Sequence, residues 1–189
     1  MAFAPVRDRG AIATKGGGII KIKEVLEDGA DLSTTASVYD LGYLQETTFR
    51  DNTPETPIND ETGDQVQTDI GNREVMVEGV LQQSDKNILD IAKETRGKFY
   101  ALYKYNGVKN GKHQEVWFGV GKINPSFEVK YAGGTVPFKF TAMKNPSAIT
   151  LASGVGSGPI ATPGNWGGYA SGAITISANG YYEIVETAV

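Results

Sequence analysis

The residues that could carry out chemistry are few in this chain, and the scarcest is histidine. His113 is the only histidine, and the sequence has no cysteine. A catalytic Ser-His-Asp arrangement would have to use His113, which lies in a predicted hairpin turn, so we expect an exposed and mobile turn residue instead. The absence of cysteine excludes disulfides, cysteine nucleophiles and thiolate metal sites, and one histidine excludes metal sites that need two.

Carboxylates are concentrated in residues 46–69. They are Glu46, Asp51, Glu55, Asp60, Glu61, Asp64 and Asp69. A glycosidase acid needs a desolvated pocket to raise its pKa, and this polar segment lacks the apolar residues to form one. The run 59–64 places carboxylates near a glycine, but it lacks the spaced ligands and closing glutamate of a calcium loop. We therefore expect a solvated loop tip and predict no cofactor.

Two further features could bind ligands. The triplet Gly16-Gly17-Gly18 lacks a following Lys-Ser/Thr and helix, so it predicts a flexible arm rather than a phosphate loop. Trp117, on the outward side of a predicted strand, and Trp166, in a Gly-rich segment, could stack on sugar rings. We favour packing of both indoles within protein, under a helix, under the C-terminal segment or in a subunit contact.

Length and composition predict one domain dominated by β-structure. The chain has 189 residues, of which 40% are hydrophobic and 21% charged, so a core can form. Its 24 glycines and 10% aromatic residues favour strands and turns over helices. No apolar run has the length of a signal peptide or of a membrane span, so we expect a protein made and kept in the cytosol.

Hydrophobic periodicity predicts the individual elements. Alternation predicts strands at 19–23, 37–45, 73–82, 98–105, 114–121, 127–130 and 135–142. The strand 98–105 is apolar on both faces, so we expect it to lie centrally and to be covered twice. Ser84 can cap one α-helix, from Asp85 to about Arg96, which Gly97 ends. Residues 46–69 are too long for an ordinary connection and predict a projecting hairpin with its tip near 58–63.

These elements divide the chain into three predicted parts. They are an N-terminal arm (1–18), a β core (19–146) and a Gly-rich C-terminal extension (147–189). Within the extension, 174–176 and 181–186 predict a final hairpin around Asn179-Gly180.

Charge distribution suggests how copies of the chain could meet. The net charge of −4 argues against general nucleic-acid binding. A candidate basic counter-surface for the acidic segment consists of Lys104, Lys109, Lys112, Lys122, Lys130 and Lys139. Uncovered strand edges would promote aggregation, so we expect self-assembly that pairs an acidic element of one copy with a basic surface of the next.

The order of elements resembles that of a known structural family. The succession is REVMVEGVLQ (73–82), the capped helix at Ser84-Asp85, KFYALYKY (98–105), NGKHQEVWFGVGKI (110–123) and PFKFTAMKNP (137–146). Over about 37–145 it resembles the tail tube (major tail) proteins of tailed bacteriophages and the related inner-tube proteins of contractile injection systems. The resemblance rests on the order and pattern of elements, because this family has no short diagnostic motif.

The resemblance implies a fold and an assembly. It implies a β-sandwich or barrel-like core with one flanking α-helix and a long projecting hairpin. Six copies would close into a ring, and rings would stack into a hollow tube through which DNA passes without sequence-specific binding. The hairpin would reach the next ring through Thr47, Phe49, Arg50, Asp51, Glu55, Ile58, Asp60, Glu61, Asp64, Gln65, Val66 and Asp69.

It also implies a location and partners. The protein would be a structural component of the virion tail, assembled in the host cytoplasm, and would contact itself and the tape measure, tail terminator and baseplate or tip proteins. The alternative from another class is a carbohydrate-binding β-sandwich module that uses Trp117, Trp166 and tyrosines. An enzyme is disfavoured, because the sequence contains no catalytic constellation.

Overall fold

The fold is taken from a computed structural model that describes most of the chain. It describes residues 18–26, 30–34, 37–59, 61–62, 65–81, 98–123, 136–152, 158 and 165–189, with only the backbone described for 65–70. The predicted N-terminal arm (except Gly18), the predicted helix at 85–96 and the predicted strand at 127–130 lie outside the described residues.

Eleven strands are present in these ranges, with one 3-10 turn at Ala30–Ser33. The strands are β1 Gly18–Glu24, β2 Tyr39–Asn52, β3 Glu55–Asn59, β4 Gln65–Ile70, β5 Glu74–Leu81, β6 Tyr100–Lys109, β7 Lys112–Ile123, β8 Val136–Met143, β9 Ile149–Ala152, β10 Ala173–Ile176 and β11 Tyr182–Ala188. Asn110 and Gly111 both have positive φ (52° and 72°), as the predicted two-residue hairpin turn between β6 and β7 requires.

Six antiparallel strands close into a barrel, which confirms the predicted mainly β, barrel-like core. Their order is β7-β6-β1-β2-β5-β8, and β8 pairs back with β7. Because the sheet closes on itself, each of these six strands has a neighbouring strand on both sides. The strand β7 is shared, because its C-terminal part pairs with β8 while its N-terminal part pairs with β11.

The barrel interior is apolar. Alternate residues of each strand point inward, and the buried set comprises Ile20, Ile22, Leu41, Leu44, Val75, Val77, Leu81, Tyr100, Leu102, Val116, Phe118, Ile123, Val136, Phe138, Phe140 and Ala142. Burial of this set supplies the non-directional hydrophobic stabilisation of the barrel.

A second core lies on the outside of the barrel. It contains outward residues of β1, β2, β6 and β7 together with Leu151, Trp166, Ala170, Ile174 and Ile176 from the C-terminal segment. The strand β6 is thus buried on both sides, with Leu102 inside and Tyr103 outside, as its two apolar faces predicted.

The predicted C-terminal hairpin is wrong in its pairing. The strand β10 pairs with β9, which the sequence did not indicate, and β11 pairs with β7. The turn at Asn179-Gly180 exists, but the strands on its two sides have different partners. The physical reason is that β10 buries Ile174 and Ile176 against the barrel, while β11 supplies backbone partners to the part of β7 that β8 does not reach.

Candidate functional site

The acidic segment forms an exposed two-stranded arm. β3 pairs with β4 in the register Glu55↔Ile70 to Asn59↔Gln65, and the arm continues the β2–β5 pair, which ends at Asn52↔Glu74. Every residue of β3 is exposed. A single two-stranded hairpin is marginally stable in water at best, so the arm is a part of the molecule that gains from packing against something else.

The predicted inter-ring residues fall at three levels of this arm. Thr47, Phe49, Arg50 and Asp51 lie in β2 at its base, and Glu55 and Ile58 lie in β3. Gln65, Val66 and Asp69 lie in β4, and Glu61 lies in the turn, whereas Asp60 and Asp64 lie outside the described residues. Ile58 is an exposed apolar residue near the tip of a polar arm.

The base of the arm is clamped to the C-terminal strand. Arg73 donates to both carboxylate oxygens of Asp51, with Nε 2.7 Å from Oδ1, and Tyr182 Oη donates to Asp51 Oδ2 at 2.7 Å. The guanidinium lies over the ring of Tyr181, 5.1 Å from its centroid. Phe49 packs edge-on against Tyr182, with centroids 5.2 Å apart.

This clamp also accounts for the titration properties of its members. The hydrogen bond from Arg73 holds the pKa of Asp51 below its ordinary value, and the bond to Asp51 raises the pKa of Tyr182. Asp51 therefore stays ionised and is already satisfied within the subunit, and Arg50 likewise pairs with Glu78 at 3.1 Å. These two predicted inter-ring residues contribute to the position of the arm within their own subunit.

The described lysines of the predicted basic counter-surface have different surroundings. Lys104 is buried, Lys112 pairs with Glu186 at 3.4 Å, and Lys122 lies over the ring of Phe99. Lys139 lines a surface cavity with Glu46 and Glu78, apart from the cavity shared by Lys104 and Lys109. Lys130 lies outside the described residues.

Outside the barrel, a buried carboxylate holds the C-terminal segment. Glu115 on β7 is fully buried and accepts hydrogen bonds from Tyr103 Oη (2.7 Å) and from the backbone amides of Tyr169 (2.7 Å) and Ala170 (3.1 Å). Three donors satisfy a charge that burial would otherwise make very costly. Gly168, at φ 103°, fits because a Cβ there would lie 2.9 Å from Glu115 Oε1.

Both tryptophans belong to this outer core. Trp117 and Trp166 are fully buried, and their rings meet edge-on with centroids 5.8 Å apart. Neither indole presents a face to solvent, so stacking of a sugar on Trp117 or Trp166, as the carbohydrate-binding alternative requires of them, is contradicted by the structure. Trp117 instead packs under the C-terminal segment, one of the packing modes predicted from the sequence.

The prediction that His113 is exposed is wrong. The ring is partly buried, its Nδ1 lies 2.8 Å from Tyr105 Oη, and it stacks on Tyr169 with centroids 3.4 Å apart. The physical reason is that Tyr169, from the C-terminal segment, folds back over the start of β7. His113 is therefore part of the contact between the barrel and that segment.

Sequence reasoning missed Glu115, Tyr103, Arg73 and Tyr182. One signal was available for Glu115: it shares the outward side of β7 with Trp117, and a tryptophan on that side indicates a covering layer. The Arg73–Asp51–Tyr182 clamp joins residues up to 131 positions apart, and the sequence contains no local signal for it.

The described residues offer neither a metal-binding cluster nor a membrane-spanning helix. They contain no group of three or more His, Asp or Glu side chains that could hold a metal ion. None of the described helical segments has the length and apolarity required to cross a lipid bilayer.

Comparison with known proteins gives structural likenesses but no match of sequence. No protein-family model matches the sequence, and no curated protein matches it significantly. Among solved structures, a chain described as "Crystal structure of Hcp protein" aligns over 85% of this chain and 98% of its own length, with 11% sequence identity and a TM-score of 0.36. At this identity and TM-score the likeness carries no conclusion about function.

Proposed function

We propose that this chain is a structural protein that assembles into stacked rings, forming the hollow tail tube of a tailed bacteriophage. The rings are six-membered in the family that the element order resembles, and DNA passes through the lumen without sequence-specific binding. The protein acts in the virion tail, after assembly in the host cytoplasm, beside tape measure, terminator and baseplate or tip proteins. This proposal assigns the chain no catalytic reaction.

The observation that supports this proposal best is the exposed β3–β4 arm on a closed barrel. Barrel closure and the pairing of β11 with β7 give the barrel strands their partners, yet the arm extends beyond the barrel with every residue of β3 exposed. The clamp of Asp51, Arg73 and Tyr182 holds the base of the arm in place and leaves β3 exposed. A directed, uncovered hairpin suits a repeated contact between copies, and such a heterologous contact that does not close produces a filament.

Assembly is the direct test. Purified protein at tens of micromolar should show rings or tubes by negative-stain electron microscopy and fast-sedimenting species by ultracentrifugation. A species of 20.2 kDa alone, with no particles by microscopy and none in phage lysates, would contradict the proposal.

The contribution of charge on the arm can be tested by reversal. Replacing Asp60, Glu61 and Asp64 together by Lys should stop tube growth and leave the circular dichroism spectrum unchanged, because the arm is outside the barrel core. Each exposed ion pair between rings contributes only about 0–1 kcal/mol, but every subunit of a ring makes the same contact, so the contributions add. Wild-type assembly should weaken with salt, because the Debye length falls from about 10 Å at 0.1 M to about 3 Å at 1 M.

The matched control is the neutral variant with Asn, Gln and Asn at the same positions. Under the electrostatic account it assembles more weakly than wild type but better than the Lys variant. Tubes of normal length from both variants would leave backbone pairing of the arm as the cause of stacking.

A further inference from the structure

A cavity of about 370 Å³ opens at one end of the barrel. Val116 and Phe118, both members of the barrel interior, line it together with Phe49 and Ile184. Lys104 and Lys109 also line it, with Thr47, Asn106 and Gln114, and none of the described residues that line it is acidic. The cavity thus combines apolar walls with positive charge.

Lys104 is an unusual group to find at this place. It is only 7% exposed, and its one hydrogen-bond partner among the described residues is Asn106 Oδ1. An ammonium has three N–H donors, so two remain without a partner in the part of the chain that the structure describes. Burial and the neighbouring charge of Lys109 lower the pKa of Lys104 to about 8.

The other buried lysines show what is missing at Lys104. Lys21 Nζ lies 3.2 Å from Asp40 Oδ1 and donates to Asn165 O at 2.8 Å. Lys23 Nζ donates to Thr34 Oγ1 at 2.9 Å and to two backbone carbonyls. Both therefore have several oxygen acceptors, whereas Lys104 has one amide oxygen and faces a cavity.

A hydrogen-bond relay fixes the amide beside Lys104. Gln114 Nε2 donates to Glu186 Oε1 at 3.3 Å, and Asn106 Nδ2 donates to Gln114 Oε1 at 3.1 Å. This order leaves Asn106 Oδ1 as the atom that faces Lys104. The relay orients the ammonium, but the carboxylate of Glu186 is two amides away and pairs with Lys112.

We propose that this cavity binds a carboxylate carried on a short apolar chain. The carboxylate accepts the two remaining N–H donors of Lys104, Lys109 adds a second positive charge, and the apolar chain lies against Phe49, Phe118 and Ile184. A phosphate fits less well, because its additional oxygens and charge would meet Phe49, Phe118 and Ile184, which offer no donors. The carboxylate comes either from a free small molecule or from an acidic side chain of a second copy of this chain.

The first experiment uses the unassembled full-length chain and pentanoate as the probe. Calorimetric titration should show saturable binding at millimolar concentrations, and Lys104→Met should weaken it about tenfold or more, as expected for the loss of a charge-assisted hydrogen bond. Inorganic phosphate should bind more weakly than pentanoate. The matched control, Lys144→Met, changes an exposed lysine that does not line the cavity and should bind pentanoate as wild type does.

A second readout does not depend on the variant. In isotope-labelled wild-type protein, pentanoate should shift the side-chain NMR signals of Lys104 and raise its pKa, and those of Lys144 should stay unchanged. No saturable binding, equal binding by Lys104→Met, or tighter binding of phosphate would overturn the proposal.

The source of the carboxylate is then distinguished in the assembled form, a step that rests on the proposed function. If an acidic side chain of a neighbouring copy fills the cavity, pentanoate should slow assembly and should not bind finished tubes. If the ligand is a free molecule, tubes and unassembled chain should bind pentanoate alike. Because the first experiment needs no tubes, failure of assembly and failure of the cavity proposal give different results.

Discussion

The two sides of β6 show two different ways of burying a strand. On the inner side, Leu102 packs among apolar residues of the barrel interior. On the outer side, Tyr103 is equally buried but donates its hydroxyl to the buried carboxylate of Glu115, which also holds two amides of the C-terminal segment. The inner side is stabilised by area and packing, which tolerate small adjustments, whereas the outer side depends on a few directed contacts that fix where the segment lies.

The largest expected effect tests the outer side. Glu115→Ala removes the acceptor of the buried Tyr103 hydroxyl and of the backbone amides of Tyr169 and Ala170, so we expect about 3–5 kcal/mol loss of unfolding free energy by urea denaturation. Hydrogen exchange at the amides of Tyr169 and Ala170 should accelerate more than exchange in β6. Glu115→Gln, which keeps the shape and one acceptor oxygen, should lose less unfolding free energy. A loss below about 1 kcal/mol for the alanine variant would show that the hydrogen bonds to Glu115 do not fix the position of the C-terminal segment.

The next effect tests the inner side. Leu102→Ala removes buried methyl groups and leaves a cavity, with an expected loss of about 3 kcal/mol. Leu102→Met, which nearly conserves volume, should lose less than about 1.5 kcal/mol, because packing alone can readjust. If the methionine variant were as unstable as the alanine variant, the interior would be as specific as the outer core and the contrast would fail.

An intermediate effect concerns the charge at the mouth of the apolar interior. The folded pKa of Lys104 is about 8, below the ordinary 10.5, so between these values the unfolded chain binds more protons and stability rises with pH. From about pH 7 to 9.5 the rise should be about 2 kcal/mol relative to Lys104→Met, measured by urea unfolding at each pH. Burial raises the pKa of Tyr103, so tyrosine ionisation in the unfolded chain opposes this rise above about pH 10. Parallel curves for the two proteins would show that Lys104 is not desolvated.

The smallest effect on stability is expected at the base of the arm. Arg73 is 43% exposed, so Arg73→Ala should cost less than about 1 kcal/mol despite its bidentate pair with Asp51. Its consequence should be positional: NMR signals of β3 should broaden or shift while those of the barrel interior stay unchanged. Lys98→Ala, which removes the exposed pair with Glu24 at 3.1 Å, is the matched control and should leave the arm unaffected. If the NMR signals of β3 stay unchanged in the Arg73 variant, the clamp does not determine the direction of the arm.

Local sequence patterns were enough to predict the strands of the barrel, the hairpin turn at Asn110-Gly111 and the projecting acidic arm. Each depends on information within a few residues: alternation in β5, β7 and β8, an Asn-Gly pair, and a polar stretch too poor in apolar residues to join a core. The central position of β6 could also be read locally, because both faces of 98–105 are apolar.

Long-range contacts, by contrast, set the partners of β10 and β11, the burial of Lys104 and the roles of Glu115 and Arg73. The strand β11 pairs with β7 because the backbone groups at that edge of β7 need hydrogen-bond partners. No local pattern in 181–186 indicates that β7 will be the neighbour of this strand. In the sequence Lys104 is indistinguishable from the surface lysines, yet it is buried at the end of the barrel. A charge on a strand looks the same in the sequence whether solvent or a distant segment covers it, since the covering residues of Glu115 lie more than 50 positions away.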